Sequence, residues 1–110
     1  MSGNPSSPRP RRAPGSGPGG NGCDLEFPTH LASPVAPVVG GLSSGDVLQL
    51  RLDDSRGVRV VVAVTVAGDV AGSVVDHVGQ LSRCIQDGNS YRATVRTVTG
   101  GSVLVDVAPS

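Results

Sequence analysis

The chain has 110 residues, nine Arg balanced against nine Asp and Glu, no Lys, and a hydrophobic fraction of 37%. That length accommodates one domain of ordinary size and excludes two. No stretch approaches the roughly 20 uninterrupted apolar residues of a membrane-spanning helix, and residues 1–22 lack the apolar centre of a secretory leader, so a cytoplasmic protein is expected.

Residues 1–22 contain six Gly, five Pro, four Ser and three Arg. After Met1 they carry no apolar side chain larger than Ala13, too little to offset the entropy of ordering, and read as a disordered tail. All 19 valines fall at Val35 or later. The charge divides at the same boundary: Arg9, Arg11 and Arg12 stand without an acid in the tail, whereas the remainder has six Arg against nine acids. A single domain over residues 23–108 follows, with a core of Val and Leu because Phe27 and Tyr91 are its only aromatic residues.

Side chains alternate over residues 23–27, which predicts a short edge strand ended by Pro28. Ser33 and Pro34 read as the N-cap and first position of a helical turn, which Pro37, Gly40 and Gly41 keep short. Residues 47–52 place Leu48, Leu50 and Leu52 on one face and Gln49 and Arg51 on the other, the period of a half-buried antiparallel strand. The strongest strand pattern covers residues 58–66: Val58, Val60, Val62, Val64 and Val66 share a face, and Val61, Ala63 and Thr65 make the other face apolar as well. Such a strand is central and covered on much of both sides.

Ala67 and Gly68 turn the chain into a partner strand over residues 69–75. Asp76 then reads as the N-cap of a helix over about 76–87, with Val78, Leu81 and Ile85 on one stripe and Gly88 and Asn89 as the stop. Residues 91–98 alternate Tyr91, Ala93, Val95 and Thr97 against Arg92, Thr94 and Arg96, and Gly100 and Gly101 return the chain through Val103, Val105 and Val107. The expected fold is mainly β: a small, partly open antiparallel barrel of about six strands with one packed helix, a shape that hides strand edges.

Candidate chemistry is sparse. Cys23, His30, His77 and Cys84 form two Cys/His pairs, but seven residues of helix rise about 10 Å, and ligands of one zinc lie within about 4 Å of each other. No metal site and no cofactor are expected. The cysteines are candidates for pairing, yet reduced thiols are the expected state without an export signal. No nucleophile elbow, phosphate-cradling loop or catalytic triad motif is present, and the Asp53 and Asp54 pair reads as loop solvation, so no enzyme is expected. The sharper pattern is that Arg51, Arg59, Arg92 and Arg96 all lie opposite the main aliphatic rows, a guanidinium face able to meet phosphates, with Tyr91 placed to stack on a base.

From Gly45 onward the order of features resembles the HIRAN domain, a small barrel found with helicases and in free-standing bacterial proteins. The matching elements are Gly45-Asp46-Val47-Leu48-Gln49-Leu50, the strand over 58–66, Gly68-Asp69-Val70-Ala71-Gly72-Ser73, the helix carrying Leu81 and Ile85, then Gly88, Tyr91 and the closing hairpin. They span residues 45–108, about three-fifths of the chain. The resemblance implies binding of a DNA 3′ end, and Tyr91 is the one residue assigned to the family's aromatic and basic end-recognition set. The leading expectation is a non-catalytic adapter module whose partner is another protein, with nucleic-acid binding as the alternative. Neither a membrane nor a small-molecule substrate is implied.

Overall fold

The computed structural model describes residues 22–54 and 57–110. The tail expected to be disordered lies outside the described residues except for Gly22, an exposed turn residue whose carbonyl accepts a hydrogen bond from Gln80 Nε2 at 2.6 Å.

The chain is mainly β, as its alternation predicts. Strands β1 (Phe27–His30), β2 (Val47–Asp53), β3 (Val60–Val64), β4 (Val70–Val74), β5 (Tyr91–Thr99) and β6 (Ser102–Pro109) are joined by two helices, α1 (Ala36–Val39) and α2 (Val78–Gln86). All strand pairs are antiparallel, and the sheet order is β1-β6-β5-β2-β3-β4. The sheet curls into a half-barrel whose two edge strands approach each other: Ala32, just beyond β1, bridges Ser73 of β4 through hydrogen bonds of 2.8 and 2.9 Å. This short seam covers the strand edges that a flat sheet of this size leaves open.

The core fills the concave side. Leu48 and Leu50 of β2, Val61 and Ala63 of β3, and Val103, Val105 and Val107 of β6 meet there. Tyr91, Ala93 and Val95 of β5 join them, and α2 packs on β2 and β3 to add Leu81 and Cys84. Gly72 makes the seam possible, because a Cβ there lies 3.0 Å from the Ala32 carbonyl oxygen and 3.1 Å from Leu31 Cβ.

Several local expectations shift. The first strand begins at Phe27 rather than ending there, and Pro28 lies inside it. The Leu31 N–H bonds the Val103 carbonyl, so bonded pairs fall on residues of that parity; Pro28 opposite Asp106 then needs no donor toward β6. Helix α1 starts at Ala36 with Val35 as its cap, while Ser33 adopts a φ of 49°. His77, not Asp76, caps α2. The Asp76 carboxylate is occupied instead by the buried Thr29 hydroxyl, which donates to it at 2.6 Å.

Two larger corrections concern β5 and the cysteines. Register slips between Val95 and Thr97, leaving Arg96 as the extra residue of a β-bulge. Thr97 is therefore exposed and leaves the inward row of Tyr91, Ala93 and Val95. Cys23 and Cys84, expected as free thiols, form a disulfide with Cα atoms 5.6 Å apart. The expectation rests on the tail, whereas the fold sets the chain before β1 against α2 and buries both sulfur-bearing residues. Among the described residues, no helix is long and apolar enough to cross a membrane.

Candidate functional site

The four arginines do not form one face. Arg51 stands on the outward row of β2, opposite Val62 of β3. Arg92 of β5 pairs with Gln49 of β2, which places it one diagonal step from Arg51, a Cα separation of about 7–8 Å. Its Nη1 donates to the Pro109 carbonyl at 2.5 Å, so this guanidinium is turned toward the end of β6. Arg96, on the bulge, forks onto Asp106 with Nε to Oδ2 at 2.9 Å and Nη2 to Oδ1 at 2.5 Å. A carboxylate thus already occupies the geometry that a phosphate uses.

Arg59 precedes β3 and shares the alternation of Val61 and Ala63, the core-facing row, rather than that of Arg51. Tyr91, the expected stacking platform, is 0% exposed. Its ring belongs to the core because β5 begins at Tyr91 on the inward row, and its hydroxyl donates to the Cys23 carbonyl. Burial pushes the Tyr91 phenol above its usual range, and the Asp24 carboxylate adds to the shift. The structure therefore makes Arg51 and Arg92 neighbours in register, with the Arg92 guanidinium turned away toward β6, sets Arg59 and Arg96 apart from them, and buries Tyr91 in the core.

Two grooves lie elsewhere on the surface of the described residues. Val62 and Val64 alternate with the core-facing Val61 and Ala63, yet they too are buried. Beside them runs a groove of about 400 Å³ lined by Val35, Val58, Val60, Val62 and Val70, with Ser33, Asp53 and Ser73 supplying polar groups. Val58 is 63% and Val35 39% exposed, so the groove has an apolar lip as well as an apolar floor. A second groove of about 620 Å³ lies between α1 and the β3–β4 turn, with Pro37, Val38, Leu42, Val47 and Val66 beside Asp46 and Asp69. Segment 33–42 borders both.

The first groove is not among the expected sites, although one signal for it stands in the chain: residues 58–66 are apolar on both faces, and only one face can join the core. The polar constellations lead nowhere comparable. Cys23 and Cys84 are bonded to each other, the His77 ring packs on Phe27 with centroids 4.5 Å apart, and His30 is exposed. Among the described residues, no group of three or more His, Cys, Asp or Glu is close enough to hold a metal ion. Asp53 lines the apolar groove, and Asp54 follows it, exposed, just beyond β2.

No family model matches the chain, and neither a curated protein nor a solved structure does.

Proposed function

We propose that this chain is a non-catalytic protein-binding module that holds a short, extended, apolar segment of a partner in the groove beside Val62. The observation that carries this reading is the groove's composition: five valines around about 400 Å³, with Val58 and Val35 left in solvent. Contiguous exposed apolar surface with a few polar groups at hand is the chemistry of a docking site for side chains, not of proton or phosphoryl transfer. An extended segment presents side chains to one face at every second residue, a spacing suited to a groove that runs along a strand.

Selection of a displayed random peptide library on the full chain tests this. Peptides with apolar residues at alternate positions are expected to enrich, and Val58→Asp is expected to weaken their binding at least tenfold while leaving the fold intact, because Val58 is exposed. Failure to enrich any such class, or equal binding by the variant, removes the proposal.

The adjacency of Arg51 and Arg92, together with the resemblance to HIRAN domains, supports a second reading as a nucleic-acid module. A salt series on single-stranded DNA with a free 3′ end separates the two. Phosphate-driven binding weakens steeply as salt rises, whereas binding of an apolar peptide does not.

A further inference from the structure

We propose that the Cys23–Cys84 disulfide is a redox latch that fastens residues 22–32, the strap leading to the Ala32–Ser73 seam, to α2. The strap touches the helix repeatedly. Cys84 holds Cys23 covalently, Gln80 donates to the Gly22 carbonyl, and His77 packs on Phe27. Helix positions 84 and 80 are four residues apart and so lie on one face, and His77 is the cap that precedes the first turn. Just before the helix, Asp76 accepts from Thr29. The strap and the helix thus run antiparallel, and the disulfide fastens the strap's outer end.

This strap also closes the half-barrel. Its strand β1, four residues long, pairs with β6, and Ala32 makes the single bridge to β4. The strands β2, β3 and β5 are each paired with a neighbouring strand on both sides, whereas β1 has a ladder on one side only. Elements with few and short connections open first, so the strap is the part of the fold whose closure one bond can decide.

The step is thiol–disulfide exchange with a dithiol reductant. One thiolate of the reductant attacks Cys23 Sγ, the S–S bond breaks, and Cys84 leaves as a thiolate that takes up a proton. The second reductant thiol then resolves the mixed disulfide and releases Cys23 as a thiol. Two electrons and two protons pass to the protein, and the reductant becomes a disulfide. Cys23 is the more exposed of the pair, 8% against 1% for Cys84, and lies at the end of the strap where peeling begins.

Hydrogen exchange on the full chain, with and without dithiothreitol, tests the latch, with alkylation and mass measurement to count free thiols. Reduction is expected to expose two thiols together and to raise exchange in residues 23–32 and 78–86 about tenfold more than in β2, β3 and β5. The variant Cys23→Ser/Cys84→Ser is expected to reproduce the reduced pattern and to ignore the reductant. A uniform rise across all strands overturns the latch, since the bond then braces the whole fold. So does an unchanged pattern, a free thiol in the untreated protein, or a double variant that fails to fold.

Discussion

The Tyr91 hydroxyl donates a hydrogen bond to the backbone carbonyl of Cys23, 68 residues away in the chain. Both residues are buried, so this bond ties the start of β5 to the strap before β1, at a point water does not reach. Replacing Tyr91 with Phe keeps the ring in the core and leaves the Cys23 carbonyl without that donor. A loss of about 0.5–1.5 kcal/mol is expected, the usual net contribution of one intramolecular hydrogen bond. Urea unfolding with the disulfide intact measures it.

The same residue predicts an alkaline limit. Burial raises the Tyr91 phenol, with the Asp24 carboxylate acting in the same direction. A proton held more tightly in the folded state than in the unfolded one stabilises the fold below the unfolded value of about 10, and that contribution is lost as pH climbs through the folded value. The chain has one Tyr, no Trp and no Lys, so phenolate absorbance reports this group alone. Its midpoint is expected above that of a free tyrosine, and stability is expected to be flat up to about pH 10 and to fall beyond it. Tyr91→Phe should remove the fall.

Arg96 and Asp106 make a well-formed but exposed pair, with side chains 54% and 42% accessible. Such pairs contribute about 0–1 kcal/mol. Asp106→Asn is therefore expected to shift the unfolding free energy by less than about 1 kcal/mol and to leave the bulge in place, since Ser44 Oγ still donates to the Arg96 carbonyl at 2.7 Å. It also frees a guanidinium beside the other outward residues of β5. On the peptide-binding reading, affinity for single-stranded DNA stays negligible after this change. Appearance of salt-sensitive DNA binding in the variant favours the nucleic-acid reading instead.

How much of this is legible in the chain depends on the kind of information involved. Alternation of Leu48 and Leu50 with Gln49 and Arg51 locates β2 and its buried face, and the Gly100–Gly101 turn locates the final hairpin. Alternation cannot say which side of a strand apolar on both faces meets the core. It places Val62 and Val64 on the main aliphatic row, but pairing of Leu50 with Ala63 and Leu52 with Val61 turns the other row inward. The bulge at Arg96 has no local signature, because nothing in Val95-Arg96-Thr97 differs from a regular strand. The disulfide joins residues 61 apart, and only the path of the strap across α2 brings them together. What the chain hides is thus what requires knowing which strands are neighbours, and both the groove and the latch belong to that class.

Two glycines separate close packing from conformational cost. At Gly72 an added methyl meets the Ala32 carbonyl oxygen at 3.0 Å and Leu31 Cβ at 3.1 Å, and the first of these is backbone fixed by the Ala32–Ser73 bridge. Gly72→Ala must therefore push the seam apart, and a loss of about 1–3 kcal/mol is expected. Gly79 is different: it lies in the first turn of α2, is exposed, and an added methyl there meets nothing within 4 Å. Gly79→Ala removes only the unfolded chain's extra freedom and is expected to stabilise by about 0.4–1 kcal/mol. Thermal unfolding of the two variants beside the parent gives shifts of opposite sign if strap and sheet meet at Gly72. A neutral Gly72→Ala, with full protection of the Ala32 and Ser73 amides from exchange, shows that the seam has room to spare and that Leu31 and Ala32 do not set its width.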